Sequence, residues 1–148
     1  LEEIAGYIAP VNPEYFGRFV SKGASSQVYI KGGAIGKKVK RGDNLLFYVT
    51  SPIQGIGGSV KVDEVIAGSP SEVWGKLQRL SVFRRDEFER FSSGKKEVLA
   101  ILFKEFRSFE PIPLETVQKI LLRFNPQAGC YIDHTQLKKI WEVLKRQK

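Results

Sequence analysis

The sequence has no methionine, one cysteine and one histidine among its 148 residues. A single cysteine excludes an internal disulfide, which is typical of a reducing compartment, so we expect a cytoplasmic location. Cys130 and His134 cannot supply the three or four ligands of a zinc site, and we expect no metal and no cofactor. No apolar run is long enough for a membrane span, and the first residues lack a signal-peptide pattern. The membrane is therefore not an expected partner.

With 42% hydrophobic residues, the chain can bury one core, and residues 1–148 are predicted to form a single domain. The chain starts at Leu1 and contains no methionine. We therefore expect a domain that was cut from a longer protein or lacks its start, and that acts with a fused or partner effector domain.

Positive charge is concentrated in three segments, although the net charge is only +8. Residues 31–43, residues 76–96 and the tail from Lys138 each carry four more bases than acids. Clustered bases suit a polyanion, because each phosphate they neutralise releases counterions. The alternative is that the charge only keeps the protein soluble.

Periodicity and turn residues predict the order β-α-β-β-β-α-α-β-α-α. Strands are expected over 4–10, 25–31, 45–49, 59–66 and 97–109, a loop over 125–131, and a last helix over about 133–147. Short turns between neighbouring strands favour an α+β fold, in which five or six strands form a small mixed or antiparallel β-barrel with flanking helices.

The stretch TSPIQGIGG (50–58) does not match a phosphate-binding loop, because it lacks the Gly-Lys-Ser/Thr ending and a strand, not a helix, follows it. It predicts a bend or bulge in the sheet. Thr50 and Ser51, at the end of a buried strand, could still face a ligand cavity.

Several short motifs resemble the ASCH-type branch of the PUA-like superfamily, specifically its uncharacterised prokaryotic predicted regulators. They are Ser51-Pro52, Ser69-Pro70 with Trp74, Phe88 with Phe91, Gly94-Lys95-Lys96, and Pro126-Gln127 with Tyr131-Ile132. This resemblance covers nearly the whole chain. It implies a PUA-like barrel from a superfamily that includes RNA-binding domains, modified-base readers and a few enzymes.

One departure from the ASCH pattern concerns catalysis. ASCH relatives that hydrolyse acetylcytidine rely on a lysine and a glutamate after the first helix, within a motif that also has an arginine. The aligned positions here are Ser25, Val28 and Ile30. The resemblance therefore assigns no catalytic residue, and a hydrolase of modified nucleosides or a nuclease is the weakest interpretation.

The favoured hypothesis is a regulatory module that binds nucleic acid, RNA more than DNA, and recognises a base. The expected phosphate contacts are Lys31, Lys37, Lys38, Lys40, Arg41, Arg84 and Arg85. The expected base or ligand pocket comprises Tyr29, Tyr48, Thr50, Ser51, Gln127 and Tyr131. Trp74 and Trp141 are expected in the core, and Asp63 and Glu64 on opposite faces of a strand. The alternative function is sensing a small ligand or a partner protein.

Overall fold

Six strands form one mixed sheet in the computed structural model, which describes residues 3–33 and 36–147. The strands are β1 (Ile4–Val11), β2 (Gln27–Gly32), β3 (Asn44–Val49), β4 (Gly55–Gly68), β5 (Val98–Pro113) and β6 (Cys130–Asp133). Their order across the sheet is β2-β5-β4-β3-β1-β6. Strands β1 and β3 run parallel, and the other neighbouring pairs are antiparallel.

The predicted α+β class, with a mixed sheet and flanking helices, is confirmed. The sheet formed by the described strands is open, with β2 and β6 at its edges, and so is not a closed barrel. The loop expected over 125–131 is wrong at its C-terminal end. Residues Cys130–Asp133 form β6, which pairs with β1 although the segment is too short to show a strand period.

Five helices flank the sheet: α1 (Pro13–Lys22), α2 (Pro70–Leu77), α3 (Arg85–Ser92), α4 (Leu114–Ile120) and α5 (His134–Arg146). Local sequence explains where several of them begin. The side chain of Asn12 accepts a hydrogen bond from the backbone N–H of Tyr15, and Asp133 and Gln136 form a reciprocal capping box. Both caps use side chains that are common at helix N-termini.

The two faces of the sheet bury different side chains, because successive residues of a strand point to opposite sides. One face carries Ile8 and Leu46 and is covered by α4 and α5. The other face carries Leu45 and Phe47 and packs against Phe19 of α1. A third cluster lies beneath α2 and α3.

The TSPIQGIGG stretch forms the expected bend. Residues 50–54 make a turn, β4 begins at Gly55, and a register shift lies between Ile56 and Gly58. A Cβ atom at Gly58 would lie 3.0 Å from the ring of Phe16 and 3.1 Å from the carbonyl oxygen of Arg107. A side chain at this position would therefore push against α1 and β5, which favours glycine where β4, β5 and α1 approach one another.

Candidate nucleic-acid interface

The predicted basic segment between β2 and β3 forms an ordered turn, residues 36–43, which we call the basic turn. Val39 is buried in the core at 3% exposure, whereas Lys38, Lys40 and Arg41 are exposed. The single apolar side chain thus anchors the turn, while the cations on both sides of it point into solvent.

Hydrogen bonds from distant strands also fix the basic turn. The hydroxyl oxygen of Tyr131 in β6 accepts hydrogen bonds from the backbone N–H groups of Gly36 and Lys38, at 2.6 and 3.2 Å. The backbone of Val62 in β4 exchanges two 2.9 Å hydrogen bonds with Gly42 and Asp43. The basic side chains therefore project from a constrained backbone, which reduces the conformational entropy that is lost on binding.

The basic turn forms one wall of an open groove of about 810 Å³, which we call the charged groove. Apolar and acidic residues line it as well. The residues that line it are Lys37, Val39, Lys40, Arg41, Asp63, Glu64, Val65, Ala67, Leu99 and Leu102. Sequence analysis anticipated the basic wall but missed the others, because they come from β4 and β5.

Asp63 and Glu64, two neighbouring acids of β4, both border the charged groove. Regular alternation would place them on opposite faces of β4. A register shift against β5 lies between Val62 and Glu64, however, and such a bulge interrupts the alternation. The charged groove is therefore bordered by acids as well as by cations.

The predicted cations differ in their partners. Lys37 forms an ion pair with Glu97, and Lys31 donates a hydrogen bond to the carbonyl oxygen of Gly32 at 2.7 Å. Lys38, Lys40 and Arg41 form no ion pair with any residue that the structure describes. These three are the most available to an anionic ligand.

Arg84 and Arg85 lie at the start of α3, which is not part of the charged groove. Residues 84–91 contain three arginines and three carboxylates, and Arg85 pairs with Glu89 at 3.3 Å. Since acids of the same helix offset these arginines, α3 presents little net positive charge.

The three predicted tyrosines occupy different environments. Tyr48 is 1% exposed and packs edge-on against Phe124, so its ring face is closed to a base. The hydroxyl of Tyr29 donates to the carbonyl oxygen of Pro10 at 2.9 Å, and its ring packs against Phe47 in the core. Tyr131 holds the basic turn instead of lining the charged groove. The predicted tyrosine-lined pocket is therefore not assembled.

Thr50, Ser51 and Gln127 also lie outside the charged groove. Thr50 follows the last residue of β3, whereas the basic turn precedes the first. Six strand residues at about 3.3 Å each separate these two ends by about 20 Å. The sequence expectation of one cleft shared by Thr50 and the basic turn is thus corrected.

The positions that carry charged groups in catalytic ASCH relatives hold other side chains. Val28 and Ile30 are buried, and the exposed Ser25 donates a hydrogen bond to the carbonyl oxygen of Lys22. Burial raises the pKa of the Cys130 thiol to about 11, which disfavours the nucleophilic thiolate. Within 3–33 and 36–147, no group of three potential metal-ligating acids, histidines or cysteines is present. None of the described helices has the length and apolar character needed to cross a membrane.

Comparisons with known proteins show which family model and which solved structures this chain is similar to. Residues 4–134 match a family model described as a domain of unknown function, DUF365. The crystal structure of ASCH from Zymomonas mobilis is similar with a TM-score of 0.82 and 16% identity, over 94% of this chain and 95% of that one. The N-terminal domain of Staphylothermus marinus McrB is similar with a TM-score of 0.58 and 11% identity, over 94% of each chain.

A shorter sequence match is to large ribosomal subunit protein uL22 of Ureaplasma parvum, with 31% identity over 61 residues. It covers 41% of this chain and 20% of that protein, so the alignment spans only about a fifth of the curated relative. The structural matches, in contrast, extend over nearly the whole chain and confirm that it has the predicted fold of ASCH structures.

Proposed function

The chain belongs to the DUF365 family, and we propose that it binds nucleic acid, with RNA as the expected form, through the basic turn and the charged groove. The observation that carries this proposal is the arrangement of Lys38, Lys40 and Arg41. They project from one anchored turn beside the groove and have no ion-pair partner among the described residues.

Phosphate groups would contact the basic turn, and their binding would release counterions. The groove behind the turn has room for an unstacked base, since sites for small ligands commonly have volumes of about 300–1,000 Å³. Val65 and Leu102, which line the groove and are partly exposed, would contact the face of the base. Asp63 and Glu64 would repel phosphate but accept hydrogen bonds from an exocyclic amino group, as carboxylates do from cytosine.

We propose that the domain acts as a regulatory recognition module and not as a catalyst. The support is chemical: Ser25, Val28 and Ile30 provide no charged group where the catalytic ASCH relatives use a lysine and a glutamate. The module would then pass the binding event to an effector domain or partner protein.

The test compares two charge-reversed variants that carry the same net charge. Lys38→Glu with Arg41→Glu alters the basic turn, whereas Lys76→Glu with Arg79→Glu alters exposed cations near the end of α2. Binding of labelled single-stranded RNA and DNA is measured by fluorescence anisotropy in about 50 mM salt. Loss of two phosphate contacts should weaken binding by about 50-fold or more in the first variant, while the second stays near wild type.

Equal weakening in the two variants would contradict the proposal, because net charge alone would then account for binding. An affinity that does not fall with salt would also contradict it and would favour the small-ligand alternative. Measuring RNA and DNA of the same sequence tests the expected preference for RNA.

A further inference from the structure

Trp141 of α5 packs against the core cluster that includes Ile8 and Ile140, as expected, but its side chain is only partly buried. The inward residues of α5 are Leu137, Ile140 and Leu144, and each is buried. Trp141 also borders two depressions of about 330 Å³ each, and Arg107 of β5 borders both as well. The two side chains therefore occupy the junction between the depressions.

The surroundings of Trp141 are predominantly positive. Lys61, Arg107 and Lys145 line the two depressions, with Glu105 as the single carboxylate among the lining residues. None of these three cations forms an ion pair with a described residue. Lys61 also lies directly opposite Lys104 in the β4–β5 pair, so two like charges face each other. A bound anion would reduce the repulsion between them.

The indole of Trp141 makes no aromatic ring contact within the part of the chain that the structure describes. Trp74, by comparison, stacks on Phe88 with ring centroids 4.6 Å apart and an interplanar angle of 16°. A partly buried indole that borders two depressions among cations without ion pairs to described residues has the features of a stacking platform for nucleobases.

We propose that Trp141, with Arg107 and Lys61, forms a second contact site for single-stranded nucleic acid. An unstacked base would lie against the indole, and the flanking phosphates would lie near the two cations. Bases inside a duplex are already stacked and paired, so this site selects single strands. The inference rests on the proposed function, because it gives the same ligand a second point of contact.

The chain connects this site with the charged groove. Asn44, which follows the basic turn, and Lys61, two residues before Asp63, both border the depression beside Trp141. The backbone bonds between Val62 and the basic turn hold these segments side by side. Because Val39 and Leu99 belong to the face that packs on α1 and Trp141 to the face that α5 covers, a strand of nucleic acid that contacts both sites would pass around this end of the β3–β4 pair.

The test follows the intrinsic fluorescence of Trp141. Trp74→Phe leaves Trp141 as the single tryptophan, and its fluorescence is titrated with oligouridylate, oligothymidylate and a blunt DNA duplex. Both single strands should quench the fluorescence saturably, whereas the duplex should not. In the otherwise native chain, Trp141→Leu should weaken single-strand binding by about 10-fold and leave duplex binding unchanged.

The outcomes separate the two proposals. Single-strand binding without quenching, or quenching by the duplex as well, would overturn this inference and leave the proposed function intact. If Trp141 is quenched but Lys38→Glu with Arg41→Glu binds like wild type, the basic turn is not the binding site, although the Trp141 contact stands. No binding of either strand at low salt would overturn both. The fluorescence titration does not require the Trp141→Leu variant to fold.

Discussion

Replacing Tyr131 with phenylalanine tests how the basic turn is held in place. The change removes one hydroxyl oxygen that accepts hydrogen bonds from Gly36 and Lys38 at 2.6 and 3.2 Å. A hydrogen bond contributes about 0.5–1.5 kcal/mol net to stability. Because Lys38 is exposed and its N–H group can bind water instead, we expect a total loss of about 1–2 kcal/mol.

For a chain of 148 residues, 1 kcal/mol corresponds to a change of about 3 °C in Tm. The Tyr131→Phe variant should therefore melt about 3–6 °C below wild type, as measured by circular dichroism and checked by urea unfolding. It should also bind single-stranded RNA more weakly, because a looser turn must be ordered on binding. Tyr15→Phe, which removes the hydroxyl of a tyrosine outside the basic turn, is the matched control. Unchanged stability and unchanged affinity would refute the idea that Tyr131 positions the turn.

Three further measurements address charge and protonation. Lys38→Gln with Arg41→Gln should reduce the steepness of the plot of log affinity against log salt concentration by about 1.4 for a single strand. An unchanged slope would show that neither side chain contacts phosphate. Burial raises the pKa of the Cys130 thiol to about 11. Iodoacetamide should therefore modify Cys130 far more slowly than free cysteine at about pH 8, and the rate should rise towards pH 11. Equal rates for Cys130 and free cysteine at about pH 8 would contradict the raised pKa. Hydrogen bonds from the side chain of Arg18 and from the backbone N–H of Arg84 lower the pKa of Glu87 to about 2. The contribution of ionised Glu87 to stability is therefore present above about pH 4.3 and is lost as the pH falls through about 2. Glu87→Gln should thus lower Tm by about 3–6 °C at neutral pH, and this difference should shrink in acid; a difference independent of pH would argue against the ion pair.

Much of the fold could be predicted from sequence because its signals are local. The apolar stripe of α5 and the capping residues Asn12 and Asp133 depend on neighbours within a few positions. The same is true of the bend at Thr50–Gly58, which proline and glycine mark directly. The short β6 strand could not be found in this way, because its pairing with β1 joins segments more than a hundred residues apart.

The candidate site was only partly predictable. Its basic wall is contiguous in sequence, so composition alone revealed it. The acids of the charged groove come from β4, and the depressions beside Trp141 form where α5 meets β4 and β5. Neither feature has a sequence period that would distinguish it from a regular strand or a buried helix face.

The amino-acid order by itself determined the helices, most of the strands and the position of the positive charge along the chain, because these depend on side chains close in sequence. Tertiary structure alone decided which predicted residues meet. It brought Tyr131 to a turn 95 residues away. Strand pairing sets such distances, and it results from burying the apolar faces of the whole sheet at once.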